Sequence, residues 1–145
     1  MKVLIDTCII IDALQCREPF FDDAQDILIG NANDEFTGII TAKSVLDIYY
    51  IIHRYNHNND KTKGIILNLL SLLTVCDTTK EDINNAILSD ISDYEDAVIA
   101  AAAERIHADA IVTRNSKDYR KSTVRVMEPY ELLNELDLQS HYQDR

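Results

Sequence analysis

The sequence contains few of the residues that break up or cross-link a chain. Only three glycines and two prolines occur among 145 residues, and we find no internal repeat, no linker-like segment and no glycine-rich phosphate-binding loop. No apolar run is long enough to span a membrane. The apolar run after Lys2 stops at Asp6, which is too short for a signal peptide. Length and an apolar content of 46% therefore predict a single domain with its own core.

Cysteine is also scarce. Cys8, Cys16 and Cys76 are an odd number, and they lack the paired spacing of a metal site. We expect reduced thiols, with Cys8 and Cys76 in the core, and hence a cytoplasmic protein.

Positive charge is in the minority, because 14 basic residues face 25 acidic ones and the net charge is −11. Such a chain is a poor general binder of nucleic-acid backbone. Its basic residues are nevertheless concentrated in one stretch, where only Asp118 opposes them. That stretch contains Arg114, Lys117, Arg120, Lys121 and Arg125. It is either a solvated loop or a local rim that binds phosphate.

Short β-branched runs alternate with segments of helical periodicity. Strands are expected at Lys2–Asp6, Thr37–Thr41, Thr74–Cys76, Ala110–Thr113 and Thr123–Met127. Helices are expected at Cys8–Leu14, Phe20–Ile29, Ser44–Tyr55, Lys61–Leu73, Thr79–Leu88, Ser92–His107 and Pro129–Leu136. The alternation predicts an α/β fold with a mostly parallel sheet covered on both faces. A polar, frayed tail is expected over Gln139–Arg145.

Four aspartates each follow a strand or lie in the first turns of a helix. They are Asp6, Asp47, Asp96 and Asp118. In a parallel α/β sheet such positions meet at one edge, where ligands bind. Capping is the alternative for three of them: Asp6 could cap the first helix, Ser44 and Asp47 could form a capping pair, and Asn115 could cap a turn containing Asp118.

Asp96 is the hardest of the four to explain by capping. Ser92 and Glu95 have the spacing of a complete capping box, and Asp93 suits the helix dipole. Asp96 then heads a face of small alanines, where an acid needs a partner or a metal ion.

Clustered carboxylates repel one another and raise each other's pKa, which a divalent cation relieves. Mg²⁺ prefers oxygen ligands, lowers the pKa of a bound water and stabilises charge on phosphate. Four acids without a catalytic histidine or cysteine therefore favour metal-dependent phosphodiester hydrolysis. His53 and His57 have a zinc-like spacing but no third ligand, so we interpret them as a surface pair.

A receiver-type phosphoacceptor domain is a rival interpretation of the same length and acid-after-strand pattern. It needs an acceptor aspartate after strand 3 and a lysine after strand 5. Asp77 could be the first, but Met127 and Glu128 supply no lysine.

Several segments, taken in order, resemble PIN-domain proteins, the ribonuclease fold that includes VapC-like toxins of toxin–antitoxin pairs. The matching blocks are V-L-I-D-T-C-I-I-I-D-A-L near the start, R-E-P-F at Arg17, S-D-Y-E-D-A-V-I-A-A-A-A from Ser92, and A-D-A-I-V-T-R-N-S-K-D-Y from Ala108. They are most similar to the subgroup with R-E-P-F and D-[FY]-E-D-A motifs. The resemblance implies a PIN domain over residues 1–137, followed by a polar tail at 138–145.

The family further implies a three-layer α/β/α sandwich with a central five-stranded sheet and a Mg²⁺ or Mn²⁺ site. Asp6, Asp96 and Asp118 match family acids, and Thr113 and Asn115 match the polar residues around the last of them. The toxins commonly have glutamate where this chain has Asp47, and the shorter side chain suggests contact with the metal through water.

We therefore expect a metal-dependent endoribonuclease with Asp6, Asp47, Asp96 and Asp118 as catalytic residues. Of these, Asp6, Asp96 and Asp118 would bind the metal ion, with Asp93 in support, and Arg114 and Lys117 would contact the RNA backbone. By analogy the partners are an antitoxin protein and a second copy of the chain. The main alternative is a catalytically silent PIN-like binding module.

Overall fold

A computed structural model of the chain describes residues 1–143, and within that range it contains five strands and seven helices. The strands are β1 (Lys2–Ile5), β2 (Thr37–Thr41), β3 (Thr74–Cys76), β4 (Ala110–Val112) and β5 (Val126–Met127). The helices are α1 (Thr7–Leu14), α2 (Phe21–Ala32), α3 (Ala42–Asn56), α4 (Asn59–Leu72), α5 (Lys80–Leu88), α6 (Tyr94–Arg105) and α7 (Pro129–Gln143). A short 3₁₀ helix, Ser116–Tyr119, follows β4.

The strands form one parallel sheet in the order β3-β2-β1-β4-β5, which confirms the expected fold class. The chain moves outward from β1 to β3 and then returns to the other side of β1 with β4. The β1–β4 junction is therefore the point where strand order reverses, and ligands of open α/β sheets bind there, beyond the carboxyl ends of the strands. Ile5 pairs with Val112 at this junction, so Asp6 and Thr113 follow side by side.

Helices cover both faces because side chains alternate along each strand. Val3 and Ile5 point into a core shared with α1, α2, α3 and α7, whereas Leu4 points into a second core shared with α5 and α6. All three side chains are fully buried. Buried alanines make up much of the inward face of α6, which lets that helix lie close to the sheet. The result is the expected three-layer sandwich.

The expected elements are all present, but some bounds were wrong. Helix α7 continues to Gln143 instead of ending at Leu136, because no glycine or proline interrupts the stretch after Leu136. The expected boundary at residue 137 falls inside this helix. The prediction of a frayed tail is wrong for residues 139–143, which are helical. Residues 144 and 145 lie outside the described residues. Strand β5 is shorter than expected and lies at the sheet edge.

Cys8 and Cys76 are half-buried against the two cores, whereas Cys16 is exposed, and all three are free thiols. Burial raises the pKa of the Cys8 thiol to about 11, which keeps it protonated and unreactive at neutral pH. In the part of the chain that the structure describes, no helix is both long and apolar enough to cross a membrane.

Candidate functional site

Asp6 lies at the centre of the carboxyl edge, directly after β1, and only 6% of its surface is exposed. It holds the N-cap position of α1, yet its side chain makes no capping hydrogen bond. Its carboxylate instead accepts a hydrogen bond of 2.7 Å from the Thr113 hydroxyl. Burial raises the pKa of Asp6, and the Thr113 hydrogen bond opposes that rise. The capping alternative is therefore wrong for Asp6.

Thr113 follows β4 and is fully buried. Its hydroxyl oxygen accepts a 3.0 Å hydrogen bond from the backbone N–H of Asn115, so its proton is directed to Asp6. The Asn115 side chain is exposed and does not cap the 3₁₀ helix that follows. Asn115 thus supports the site through its backbone, and the capping alternative is also wrong for Asp118.

Asp96 lies in the first turn of α6, and the cap of that helix differs from the expected one. Asp93 is the N-cap, and its carboxylate accepts a 3.0 Å hydrogen bond from the backbone N–H of Asp96. The predicted box of Ser92 and Glu95 is wrong, because the helix begins one residue later than that box requires.

The electrostatics link Asp96 to the other acids. Burial raises the pKa of Asp96 to about 6, with help from the negative charges of Asp6, Asp93 and, more weakly, Asp118. Asp118 itself is exposed, on the 3₁₀ helix after β4. The fold thus brings Asp6, Asp96 and Asp118 into one electrostatic cluster at the strand-order reversal.

Tyr119 is a site residue that sequence reasoning missed. It is fully buried, with its hydroxyl against the carboxylates of Asp6 and Asp96. Burial, the charges of these two acids and a hydrogen bond to Asp96 raise the pKa of the hydroxyl. The only signal in the sequence was its place directly after Asp118, where an aromatic residue predicts packing and not chemistry.

Asp47 lines the same cleft but is held by an ion pair. Lys43, one turn earlier on α3, contacts the Asp47 carboxylate at 2.6 Å and reaches Glu95 on α6 at 3.1 Å. Burial lowers the pKa of Lys43, but the two carboxylates outweigh this effect and the pKa is raised. Asp47 is therefore neutralised on the wall of the cleft.

Three hydroxyl groups fix α3 beside α1. Thr41, not Ser44, caps α3, because its hydroxyl oxygen accepts the Ser44 N–H at 3.1 Å. The predicted capping pair of Ser44 and Asp47 is therefore wrong. The hydroxyls of Thr7 and Thr41 both donate to the Ser44 hydroxyl oxygen, at 3.0 and 2.9 Å. This network ties the wall that carries Asp47 to the helix that starts at Asp6.

Arg114 has a structural role that disagrees with the expected RNA contact. Its guanidinium forms an ion pair with Asp12, which is fully buried. The same group lies 3.9 Å from the ring centroid of Phe20, the last residue of the R-E-P-F segment. An arginine held by a buried carboxylate and an aromatic face is not free to bind phosphate.

The remaining basic residues of this stretch divide into two sets. Arg125 is paired with Glu135 at 2.8 Å. Lys117, Arg120 and Lys121 are exposed and line a cavity of about 290 Å³ together with Asp118. We call these three residues the basic rim.

A larger cleft of about 540 Å³ is lined by Asp6, Asp47 and Asp96 but not by Asp118. Its lining includes Asp6, Asp96, Lys43, Asp47, Tyr50, Arg54 and Tyr94. Arg54 forms no ion pair with a described residue. Three of the four acids therefore face a cleft with aromatic and cationic walls, and Asp118 lies beside the basic rim.

The acid cluster fits a hard divalent cation that keeps most of its water. Within residues 1–143, no three histidine, cysteine or acidic side chains converge tightly enough to hold a metal ion by themselves. Mg²⁺ commonly needs only one or two carboxylates, completing its shell with waters and substrate phosphates. Asp6 and Asp96 supply two carboxylates whose mutual repulsion a cation would relieve, and the buried Tyr119 hydroxyl interacts with both of them. His53 and His57 remain a pair, with rings 6.4 Å apart.

The fold and the cluster define a parallel α/β protein with acidic residues gathered at the strand-order reversal. The family model of the PIN domain matches residues 2–117, so the chain belongs to the PIN-domain family. No curated protein sequence gives a significant match.

Solved structures of toxin–antitoxin proteins share the fold. The VapBC2 complex of Rickettsia felis, bound to a fragment of its promoter DNA, is 19% identical with a TM-score of 0.68, over 88% of this chain and 98% of that one. FitAcB from Neisseria gonorrhoeae is 17% identical with a TM-score of 0.66, over 88% and 98%. VapC20 of Mycobacterium tuberculosis, a toxin that cleaves the sarcin–ricin loop, is 10% identical with a TM-score of 0.64, over 85% and 98%.

The strand order also removes the receiver interpretation. Receiver-type folds have the order 2-1-3-4-5, which puts the acceptor strand in the middle of the sheet. Here β3, with Asp77 after it, is an edge strand.

Proposed function

We propose that this protein is a metal-dependent endoribonuclease that hydrolyses RNA phosphodiester bonds. The observation that carries the proposal is the pairing of Asp6 with Asp96 at the strand-order reversal. Asp6 is buried without a capping role, and the pKa of Asp96 is raised to about 6 by burial and by neighbouring acids. Acids that pack together at a cost in repulsion indicate a functional cation site.

Asp6 and Asp96 would hold Mg²⁺ or Mn²⁺, and Asp118 would complete the site from its exposed position. Such an ion supplies an activated water and stabilises charge on the phosphate. Thr113 orients the Asp6 carboxylate, and Asp93 fixes the first turn of α6, on which Asp96 lies. Asp47 would act through water, since Lys43 already binds its carboxylate.

RNA would cross the acids between the cleft and the basic rim. Tyr50 and Tyr94 are 62% and 45% exposed at the cleft, where aromatic faces can stack on unpaired bases. Lys117, the remaining candidate for an RNA backbone contact, belongs to the basic rim beside Asp118. The rim offers local positive charge on a chain that otherwise repels phosphate.

The same proposal includes the role of a toxin in a toxin–antitoxin pair, acting in the cytoplasm. The VapBC2 complex, FitAcB and a toxin–antitoxin complex from Klebsiella pneumoniae share this fold. Large apolar side chains are exposed on α3 and α5, which is typical of surfaces that bind another protein. They are Leu46, Tyr50, Tyr55, Ile83, Ile87 and Leu88. An antitoxin and a second copy of the chain are the proposed occupants.

The competing proposal is a catalytically silent PIN-like module that binds RNA or a protein. The specific observation in its favour is the ion pair of Lys43 with Asp47, because it engages one carboxylate oxygen of one of the four acids.

Incubation of purified protein with single-stranded and structured RNA, in Mn²⁺ or in EDTA, tests the proposal. Cleavage is expected in Mn²⁺ from the unaltered protein and from the control Asp137→Asn, which changes an exposed acid of α7. It should disappear in EDTA and in Asp6→Asn. Cleavage that survives either treatment contradicts the metal mechanism, and Mn²⁺ binding without cleavage of any RNA supports the silent module.

A further inference from the structure

Two arginines, Arg17 and Arg54, line an open cavity of about 280 Å³ outside the acid cluster. Arg54 lies in the last turn of α3, and Arg17, the first residue of the R-E-P-F segment, follows α1. Gln15, Ile51 and Tyr55 also line the cavity, so no acidic residue belongs to the described lining. The chain has 25 acidic and only 14 basic residues, and this cavity therefore concentrates positive charge on an otherwise acidic protein.

Neither arginine is neutralised by a carboxylate. Within residues 1–143, neither forms an ion pair with an acidic side chain. The Nε and Nη2 groups of Arg17 donate to the Gln15 side-chain oxygen at 3.1 and 2.8 Å, which orients the guanidinium and leaves its other N–H groups available. No acidic residue lies three or four positions before or after Arg54, where helical ion pairs form. Both charges are thus available to an anion.

A helix dipole accounts for only part of this arrangement. A cation in the last turn of α3 is favoured by the negative end of the helix dipole, which gives Arg54 a structural role by itself. The dipole does not require a second arginine, and Arg17 comes from a different segment of the chain. The convergence of two arginines from separate segments on one cavity indicates a ligand with negative charge.

The cavity is continuous with the cleft that faces the acids, because Ile51 and Arg54 line both. The start of α3 lies beside the acids, where the Thr7 hydroxyl donates to Ser44 at 3.0 Å. Arg54 follows Ser44 by ten residues, which corresponds to about 15 Å along the helix axis. Tyr50 is exposed in the cleft between these two points. A strand that crosses the acids and follows α3 therefore meets the arginines at another point of its length.

We propose that Arg17 and Arg54 form a phosphate-binding subsite for the RNA backbone, at a phosphate other than the one that is hydrolysed. A guanidinium matches the geometry of a phosphate and can donate two hydrogen bonds to it. The subsite fixes the position of the strand and reads no base. This inference rests on the RNA binding of the proposed function, but it does not depend on a metal ion.

The test measures the fluorescence anisotropy of a labelled oligouridine and a labelled oligoadenosine in EDTA. Arg17→Gln and Arg54→Gln should each bind both RNAs about 10-fold more weakly than the unaltered protein at low salt. The slope of log affinity against log salt concentration should become shallower by about 0.7, the value for one phosphate contact on a single strand. Arg54→Lys should retain part of the affinity. The control Arg125→Gln removes an arginine that is paired with Glu135, and it should change neither quantity.

An RNA affinity that is unchanged in Arg17→Gln and Arg54→Gln overturns the inference. Weaker binding with an unchanged salt slope also overturns it, because the lost contact is then not with phosphate. Binding of inorganic phosphate to the arginines without any effect on RNA affinity would assign them to a small anion instead. If the unaltered protein binds neither RNA, the inference and the proposed function both fail. If the expected losses occur but the unaltered protein does not cleave RNA in Mn²⁺, only the proposed hydrolysis fails.

Discussion

Replacing Asp96 by asparagine should stabilise the metal-free protein at neutral pH. The substitution keeps the size of the side chain but removes its charge, and with it the cost of burying that charge and the repulsion from Asp6, Asp93 and Asp118. Because the pKa of Asp96 in the folded protein lies above its ordinary value of 3.8, the folded state binds the proton more tightly. The contribution of Asp96 to stability is thus present below pH 3.8 and is lost as pH rises through about 6.

The size of the effect follows from the pKa. A rise from 3.8 to about 6 corresponds to about 3 kcal/mol of unfolding free energy. Two effects reduce it: Asp96 is only half-buried, so solvent screens its charge, and the N-terminus of α6 favours a negative charge in its first turn by up to ~1 kcal/mol. We expect Asp96→Asn to be more stable than the unaltered protein by about 1–2 kcal/mol at pH 7.5.

Urea unfolding in EDTA at pH 7.5 and at pH 3.8 measures this difference. Asp96→Asn should raise the unfolding free energy at pH 7.5 and change it little at pH 3.8. The control Asp137→Asn should leave the unfolding free energy unchanged at both values of pH. A variant that is less stable than the unaltered protein at pH 7.5, or equally shifted at both values of pH, would refute the electrostatic reasoning. Addition of Mn²⁺ at pH 7.5 should reverse the order, because the variant loses a ligand.

Two further substitutions test the surroundings of the site. Thr113→Val should lower the unfolding free energy by about 1.5–3 kcal/mol at pH 7.5, because the buried Asp6 carboxylate loses its donor, whereas Thr113→Ser should retain most of it; a loss below about 0.5 kcal/mol in urea unfolding argues against that hydrogen bond. Arg114→Ala should lower the unfolding free energy by about 3 kcal/mol, because Asp12 is left buried and unpaired. Arg125 forms an exposed ion pair with Glu135, so Arg125→Ala should lower the unfolding free energy by less than about 1 kcal/mol. Equal losses of unfolding free energy for the two arginine variants would contradict the structural role of Arg114.

The sequence predicted the sheet and the place of the acids because both depend on local patterns. The limits of β2 at Thr37 and Thr41 match the expectation, since an apolar, β-branched run ends there at a helix start. Asp6 and Asp118 were expected at the carboxyl edge because parallel strands share one edge, whatever their order.

The helix caps could not be decided from local sequence. Ser92 and Asp93 are adjacent, and each has an acid three residues later, so two capping registers one residue apart were equally consistent with the pattern. In the structure, Asp93 is the residue that caps α6. By contrast, the spacing of Lys43 and Asp47 is one helical turn, a signal of an ion pair that was available in the sequence.

The pairing of Asp12 with Arg114 and the contact of Tyr119 with the acids depend on the tertiary fold. Asp12 and Arg114 are 102 residues apart in the chain and meet only because α1 and the segment after β4 converge. The polar neighbours of Tyr119 in the sequence do not indicate that its hydroxyl is buried against Asp6 and Asp96.

The location of a bound Mn²⁺ ion tests the central claim most directly. Anomalous diffraction from crystals of the protein grown with Mn²⁺ should show a peak in contact with the carboxylates of both Asp6 and Asp96, and the peak should be absent from Asp6→Asn. A peak away from these two residues, or no peak at a saturating Mn²⁺ concentration, would contradict the account.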